Sequence, residues 1–318
     1  MSQEELSKVP KNDLISIHDL SARQMTGLFD LTRNVKSDPA RYSRALEGQS
    51  LGMIFQKSST RTRVSFEVGA FQLGAQALFL SGRDIQLGRG ETIEDTARVL
   101  SRYVHGIMAR TFAHSDVTEL ARHASIPVIN GLTDDLHPCQ ILADYFTLLE
   151  VFGDLEGRKL AFIGDGNNMA RSLILGAAKV GMDIAVASPA GYQVEGHYLE
   201  LARTDAAAAG TSISLTTDPA EAAGGASAVC TDVFASMGQE DEAGERLEAF
   251  RGFQVDEELM SRATEDAVFL HCLPCHRGEE VSAEVADGPR SRIFDEAENR
   301  LHAQKAVMLW LMGGVEIG

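Results

Sequence analysis

The run Leu51-Gly52-Met53-Ile54-Phe55, followed after two residues by Ser58-Ser59-Thr60-Arg61-Thr62-Arg63, carries most of the information about the fold. The first part is short and apolar, as in a buried strand. Apolar residues at helical spacing follow the second part, at Val64, Phe66, Val68, Phe71 and Leu73. Hydroxyl groups, the free N–H groups of a first helical turn and guanidinium groups all favour a bound phosphate there. An ordinary N-cap flanked by solvated arginines is the alternative.

Length and composition favour a soluble enzyme of about two domains. The chain has 318 residues, of which 44% are hydrophobic and 24% are charged. A formal net charge of -17 argues against a nucleic-acid partner and against binding to an anionic membrane surface. No apolar run is long enough to span a bilayer. Four scattered cysteines and a polar, acidic N-terminal stretch predict a cytoplasmic location.

Short apolar runs alternate with helical patterns along the chain, which is typical of an α/β fold with parallel sheets. The predicted strands are Leu51–Gln56, Ala77–Leu80, Gly106–Arg110, Ile126–Asn130, Lys159–Ile163, Met182–Ser188, Thr211–Leu215, Ala226–Cys230 and Ala267–Cys272. A domain boundary is expected near Gly153–Gly157. The acidic stretch Gly238–Arg251 has little periodicity and is predicted to be a surface loop.

Polar side chains follow most of the predicted strands. The carboxyl ends of parallel strands share one edge of a sheet, and ligands bind there. Pro138 suits the first position of a helix, so His137 is predicted to be its N-cap, with Gln140 facing the same cavity. The other polar residues at strand ends are Ser59–Arg63, Arg110, Asn168, Asp232, Ser236 and Cys272. Their convergence predicts an active site in the crevice between two domains.

Several of these residues also have a purely structural explanation. Arg110 can be a surface residue, and His137 and Asn168 can act only as helix caps. A cysteine at a strand end, such as Cys272, is usually buried and inert. Asp232 can cap the turn that follows it.

Two other motifs resemble metal or cofactor sites. The segment Cys272-Leu273-Pro274-Cys275 has flanking histidines, but the chain lacks the second ligand pair of a structural zinc site. Its proline favours a loop, whereas a thioredoxin-type motif opens a helix. The turn Gly164-x-Gly166 is similar to a dinucleotide-binding loop, but Met169 stands in place of the third glycine. We therefore predict neither a metal nor a nicotinamide cofactor.

Four motifs together resemble the ornithine branch of the carbamoyltransferase family. In order and spacing they are Ser59-Thr60-Arg61-Thr62-Arg63, His137-Pro138-x-Gln140, Asp232-x-x-x-Ser236-Met237-Gly238 and His271-Cys272-Leu273-Pro274. The first two indicate the wider family, and the last two indicate its ornithine branch. The resemblance runs from about Leu20 to His302. It implies two doubly wound parallel-sheet domains with the active site in the interdomain crevice.

The resemblance assigns each domain a substrate. It implies a carbamoyl-phosphate-binding domain at residues 1–150 and an ornithine-binding domain at 151–297, with a C-terminal helix, about 298–318, packed on the first. Carbamoyl phosphate is expected to contact Ser59, Thr60, Arg61, Thr62, Arg63, Gln86, Arg110, His137, Gln140, Cys272, Leu273 and Arg300. Ornithine is expected to contact Asn168, Asp232, Ser236 and Met237. Members of the family are typically homotrimers or assemblies of trimers, and the segment around Gln86 reaches a neighbouring site.

The implied reaction transfers the carbamoyl group from carbamoyl phosphate to the δ-amine of L-ornithine, giving L-citrulline and phosphate without a metal or cofactor. The amine must lose a proton, since its free pKa resembles the value of about 10.4 for lysine. Asp232 and Cys272 are both candidates to orient the amine or accept that proton, and the sequence leaves this open. Arg110 and His137, with Thr62, are expected to donate hydrogen bonds to the carbamoyl oxygen.

Two residues depart from the family's pattern near the amine. Phe234 stands where tryptophan is expected, and Cys275 stands where alanine is more usual. They leave another amine, putrescine or an acylated ornithine, as the alternative substrate. Putrescine lacks the carboxylate and α-amine that Asp232 and the Ser-Met-Gly motif would bind, which favours ornithine. A non-catalytic binding protein and a nicotinamide-dependent oxidoreductase are the alternatives from other functional classes.

Overall fold

Two parallel sheets form the framework of the protein in this computed structural model. The structure describes residues 12–85, 90–194, 196–235 and 242–317. Within these ranges the strands are β1 (Ser50–Phe55), β2 (Gln76–Ser81), β3 (Gly106–Arg110), β4 (Val128–Leu132), β5 (Lys159–Ile163), β6 (Asp183–Ala187), β7 (Ile213–Thr216), β8 (Ala228–Thr231) and β9 (Val268–His271). Every predicted strand is confirmed, with its ends displaced by at most two residues.

Helices connect these strands. Within the described residues they are α1 (Ala22–Ser37), α2 (Thr60–Gln72), α3 (Ile93–Leu100), α4 (His114–His123), α5 (Pro138–Phe152), α6 (Asn168–Ala177), α7 (His197–Ala209), α8 (Pro219–Ala223), α9 (Ala243–Ala249), α10 (Glu257–Met260), α11 (Ala283–Ala286) and α12 (Ile293–Leu311). The prediction of a loop throughout Gly238–Arg251 is wrong, because α9 lies within it. A tertiary contact explains this helix: the buried guanidinium of Arg246 donates to Asp165 Oδ2 at 2.7 Å and to the carbonyl of Phe234 at 3.0 Å.

The first compact unit comprises the chain up to Cys139 together with the residues from Arg300 onward. Its four strands are all parallel, in the order β2-β1-β3-β4. The chain order reverses between β1 and β3, and such a switch point is where open α/β sheets bind ligands. The second half of α12 belongs to this unit, and Lys305 Nζ donates to Gln72 Oε1 on α2 at 2.9 Å.

The second compact unit comprises Gln140–Asn299. Its five strands are all parallel, in the order β7-β6-β5-β8-β9, so its switch point lies between β5 and β8. Phe250, Phe253 and Phe269 pack with alanine and valine side chains from the sheet and its helices to form the core. The prediction of two parallel-sheet α/β domains is confirmed.

An irregularity in the first sheet lies next to Arg110. Ala109 pairs with Asn130, but Arg110 pairs with Leu132, so Gly131 is passed over in the register. A side chain at Gly131 is impossible without rearrangement, since its Cβ would lie 2.4 Å from the sulfur of Met108. Bulges of this kind redirect the neighbouring side chain. The irregularity therefore lies in β4, opposite Arg110 at the end of β3.

Candidate active site

The end of β1 and the start of α2 form the first part of the site. Ser59 caps the helix, because its Oγ accepts a hydrogen bond from the backbone N–H of Thr62 at 3.1 Å. The Thr62 hydroxyl oxygen accepts in turn from Arg300 Nη2 at 3.2 Å and from Arg110 Nη1 at 3.5 Å. Residues from α2, β3 and α12 thus meet at one threonine. All three of these side chains are buried.

His137 lies in a strongly positive environment at the same end of the sheet. It directly precedes Pro138, the first residue of α5, and its side chain is buried. Burial, and then the guanidinium groups of Arg300, Arg110 and Arg61, hold the pKa of His137 well below its ordinary value of 6.5. The imidazole is therefore neutral at physiological pH. Three guanidinium groups around a neutral donor suit a multiply charged anion.

Arg63 differs from the expected phosphate contact. Its Nε donates to Glu67 Oε1 at 3.0 Å, and its guanidinium carbon lies 3.7 Å from the centre of the Phe79 ring. Residues two positions apart on a helix project to nearly opposite sides, so Arg61 and Arg63 do not address one ligand. Thr60, the first residue of α2, is exposed, and Gln86 lies outside the described residues.

Acidification is expected to destabilise the protein through His137. Because the folded pKa is depressed, the unfolded chain binds the proton first, and stability is lost as pH falls below 6.5. At pH 5.5 the linked loss is about 1 kcal/mol for one such histidine. Urea unfolding at pH 7.5 and 5.5 measures it in the parent and in His137→Gln. The variant should lose about 1 kcal/mol less than the parent; equal losses would contradict the assignment.

Asp232, directly after β8, is the centre of the second group of site residues. Its Oδ1 accepts hydrogen bonds from the Cys272 thiol at 3.2 Å and from the backbone N–H of Val233 at 2.8 Å. Its Oδ2 accepts from Asn167 Nδ2 at 3.0 Å. The structure therefore brings Asp232 and Cys272 together, as the sequence predicts, at the ends of adjacent strands β8 and β9.

Asn167 is a site residue that its sequence pattern did not reveal. Its Oδ1 accepts from the backbone N–H groups of Met169 and Ala170, so Asn167, not Asn168, caps α6. Its amide nitrogen simultaneously holds Asp232. The preference of asparagine for N-cap positions was the available signal, and the adjacent Asn168 obscured it. Asn168 is the first residue of α6, and Ser236 and Met237 lie outside the described residues.

Cys272 is a neutral thiol in this environment. Burial, with the carboxyl groups of Asp232 and Glu296 nearby, raises the pKa of Cys272 well above its ordinary value of 9.0. The thiol donates its proton to Asp232 in a hydrogen bond and is a poor thiolate nucleophile. Leu273, which follows, has a φ of 58°, an unusual conformation for leucine, and its N–H donates to His271 Nδ1 at 2.9 Å.

The raised pKa predicts slow alkylation of Cys272. Cys275 is the internal control, since burial raises its pKa less and its side chain is also partly accessible. Iodoacetamide at pH 8, followed by mass spectrometry that resolves the two residues, should label Cys275 at least about tenfold faster, because only thiolates react. Comparable rates are expected in urea. Faster labelling of Cys272 in the native protein would contradict its description as a neutral thiol.

Gln140 lies in the second unit. Its Nε2 donates to Asp144 Oδ1 at 2.8 Å and to Glu296 Oε1 at 2.6 Å, and all three side chains are buried. Glu296 Oε2 accepts from the backbone N–H of His271 at 2.9 Å. Through Glu296, the amide nitrogen of Gln140 therefore supports strand β9, which ends directly before Cys272. A cavity shared by Gln140 and His137 stays a prediction.

Two clusters contain metal-ligand atoms within 4.8 Å of one another, among the residues that the structure describes. They are Asp232, His271 and Cys272, and His276, Glu279 and Glu280. In the first cluster the candidate ligand atoms already bond within the protein, the thiol to Asp232 and His271 Nδ1 to Leu273. In the second, Glu280 Oε1 accepts from the backbone N–H of His276. Both clusters thus contain atoms that already take part in hydrogen bonds within the protein.

The remaining sequence features are explained by packing. Gly166 is required because a Cβ there would lie 2.4 Å from the backbone nitrogen of Val194. Phe234 is buried and stacks on Phe250, with ring centres 4.7 Å apart. Cys275 packs against the same core cluster. None of the described helices has both the length and the apolar character needed to cross a membrane.

Two parallel α/β units, one with converging arginines at its switch point and one with a carboxyl–thiol pair at its strand ends, define a two-substrate α/β enzyme. The family model for the "Aspartate/ornithine carbamoyltransferase, carbamoyl-P binding domain" matches residues 12–150. The model for the "Asp/Orn binding domain" matches residues 156–311. The chain belongs to the aspartate/ornithine carbamoyltransferase family, which confirms the resemblance seen in its motifs.

Individual relatives are similar over almost their whole length. The ornithine carbamoyltransferase of Symbiobacterium thermophilum is 56% identical over 302 residues, which cover 94% of this chain and 97% of the relative. That of Bacillus subtilis is 55% identical over 296 residues, covering 93% and 92%. The solved ornithine carbamoyltransferase of Pyrococcus furiosus has a TM-score of 0.92 and 50% identity, covering 97% of this chain and 100% of that one.

Proposed function

We propose that this protein transfers the carbamoyl group of carbamoyl phosphate to the δ-amine of L-ornithine, giving L-citrulline and phosphate. The observation that carries the proposal is the convergence of Arg110 and Arg300 on Thr62 at a helix N-terminus, beside the neutral His137. This arrangement suits a phosphate next to a carbonyl oxygen that gains charge. The relatives named ornithine carbamoyltransferase support the same reaction.

Each substrate is assigned to one unit. The first unit binds carbamoyl phosphate through Ser59, Thr60, Arg61, Thr62, Arg110, His137 and Arg300. The second binds ornithine through Asn168, Asp232, Ser236 and Met237, with Gln86, Gln140 and Leu273 as further contacts of the carbamoyl group. In the reaction the amine nitrogen forms a bond to the carbamoyl carbon, and the bond from that carbon to the phosphate oxygen breaks. Phosphate leaves with the bonding electrons, and the nitrogen loses a proton.

Asp232 is the proposed acceptor or orienting group for that proton. The Cys272 thiol is neutral and already donates to Asp232, so it cannot accept a proton while this hydrogen bond lasts. Asn167 Nδ2 and the Val233 N–H fix the carboxyl group in place. In this proposal the Cys272 side chain lies beside the amine, and its thiol donates a hydrogen bond to Oδ1 of Asp232. We therefore propose Asp232 for the role that the sequence alone leaves open between the two residues.

Self-association is supported by an exposed apolar face. It consists of Val64, Val68 and Phe71 on α2 and Phe79 on the edge strand β2, whose ring contacts Arg63 of α2, and Phe71 alone is 79% exposed. Apolar surfaces of this kind mark interfaces, and unprotected edge strands invite pairing. We assign this face to contacts between copies in a homotrimer. Light scattering should give three times the monomer mass for the parent, and Phe71→Glu should lower it.

The remaining assignments follow from the chemistry of the chain. All four cysteines are free thiols, which fits a reducing compartment, and we place the protein in the cytoplasm. Putrescine and acylated ornithine are disfavoured as acceptors, because the relatives are named for ornithine. No partner beyond carbamoyl phosphate, ornithine and further copies of the chain is proposed.

A citrulline assay tests the function directly. The protein is supplied with carbamoyl phosphate and a panel containing ornithine, putrescine, N-acetylornithine and lysine. Ornithine should be carbamoylated with the highest kcat/KM, and phosphate should be released in equal amount. Faster carbamoylation of putrescine or N-acetylornithine would overturn the substrate assignment. Absence of any carbamoylated product in an oligomeric, folded preparation would overturn the reaction itself.

A further inference from the structure

Arg300 reaches the site from α12, and two buried side chains hold its guanidinium there. We propose that Gln304 and Ser65 are positioning residues that fix Arg300 for carbamoyl phosphate. The proposal rests on the proposed function of this site. Gln304 lies one helical turn after Arg300, and Ser65 lies one turn after Arg61 on α2. All three of Gln304, Ser65 and Arg300 are buried.

The orientation of the Gln304 amide follows from its partners. Oε1 accepts from Arg300 Nη2 at 2.7 Å and from Arg300 Nε at 3.1 Å, and Nε2 donates to the Ser65 hydroxyl. The opposite orientation would point the NH₂ group at the guanidinium, placing donors against donors. Two N–H groups of the planar guanidinium thus converge on one oxygen, which fixes the direction of the fork.

These contacts close a ring that includes the phosphate-binding turn. The Ser65 hydroxyl donates to the carbonyl of Arg61 at 2.6 Å and accepts from Gln304, which in turn accepts from Arg300. Arg300 then donates to Thr62 Oγ1 at 3.2 Å, and Thr62 adjoins Arg61 in the chain. The ring therefore fixes the first turn of α2 and the guanidinium of Arg300 relative to each other.

The ring limits the conformational freedom of a long side chain. A free arginine side chain samples many rotamers, and ligand binding must otherwise remove that rotamer entropy. Two hydrogen bonds to Gln304 leave the guanidinium with a single orientation before the substrate arrives. Since Gln304 is uncharged, it holds Arg300 without placing a negative charge beside the anion. Pre-organisation of this type improves affinity for the ligand that the side chain addresses.

The test compares Gln304→Leu with Gln72→Leu. Gln72 makes the neighbouring contact between the same two helices, to Lys305, but lies outside the ring. Loss of a charge-assisted pair should raise KM for carbamoyl phosphate about tenfold in Gln304→Leu, with KM for ornithine changed less than about twofold. Gln72→Leu should leave both KM values within about twofold of the parent at a comparable drop in Tm. Ser65→Ala, which removes only the outer anchor, should raise KM for carbamoyl phosphate about threefold.

A double-mutant cycle separates positioning from general packing. In an Arg300→Ala background, Gln304→Leu should produce no further rise in KM for carbamoyl phosphate, because the residue that it positions is gone. Additive effects, or equal rises in both KM values, would overturn the proposal. If the parent protein forms no citrulline, the result refutes the function on which the proposal rests. If the parent is active and KM for carbamoyl phosphate is unchanged in Gln304→Leu, the result refutes the positioning role alone.

Discussion

Arg61→Ala is expected to lower kcat/KM for carbamoyl phosphate by about a thousandfold. Arg61 lies in the first turn of α2 and is one of the three arginines whose charge depresses the pKa of His137. Removal of one such donor from a pre-organised anion site typically costs about 3–4 kcal/mol in the transition state. Steady-state citrulline formation with varied carbamoyl phosphate measures the loss. KM for ornithine at saturating carbamoyl phosphate should change far less.

Arg63→Ala is the matched control for this experiment. It removes the same side chain from the same helix, two residues on, but Arg63 contacts Glu67 and Phe79 on the opposite side. Its kcat/KM should stay within about threefold of the parent, as for a surface ion pair. Light scattering on both variants distinguishes altered assembly from altered binding. Equal losses in the two variants would remove the case for a phosphate site at this turn.

Asp232→Asn should reduce kcat by about 10²- to 10⁴-fold, the usual contribution of a positioned acid or base. The substitution keeps the shape of the side chain, but the amide cannot accept a proton from the amine. Asparagine also places an NH₂ group where Asp232 now accepts from Cys272 or from Asn167. The loss should appear in kcat at saturating substrates, measured by citrulline formation, with the parent's mass and Tm retained.

Cys272→Ala provides the comparison that assigns the proton. If Asp232 handles the amine, loss of the thiol should cost about tenfold, the value of one hydrogen bond to a charged group. A larger loss in Cys272→Ala than in Asp232→Asn would move the role to the sulfur. The ratio of the two kcat values therefore decides between the residues.

The sequence was sufficient for the elements that depend on local pattern. The runs of β-branched and apolar residues located all nine strands of the described residues, and the proline at position 138 located the start of α5. Arg110 and Asp232 were proposed as site residues because polar residues at the ends of apolar strands are conspicuous, and His137 because Pro138 follows it. The other polar residues at strand ends were predicted from one general rule. In parallel sheets, ligands bind at the edge where the carboxyl ends of the strands meet.

Features that depend on strand order or on distant contacts were not predictable in this way. Nothing in the periodicity of β1 shows that β2 and β3 flank it, which is what creates the switch point beside Ser59. Arg61 and Arg63 look equivalent in the sequence, and only the helical geometry separates them. Helix α9 depends on the contact of Arg246 with Asp165, which lies 81 residues away in the chain. The bond between Ser65 and Gln304 joins residues 239 positions apart.

The composition of the first unit imposes an order of events during translation. That unit needs the residues from Arg300 onward, yet the whole of Gln140–Asn299 is synthesised in between. A nascent chain on the ribosome can therefore complete its second unit while the first still lacks its closing helix. Arg300 follows the whole second unit in the chain, so anion binding should arise only after that unit has been synthesised. If translation stopped before Arg300, the second unit could fold, whereas the first would lack the residues that complete it.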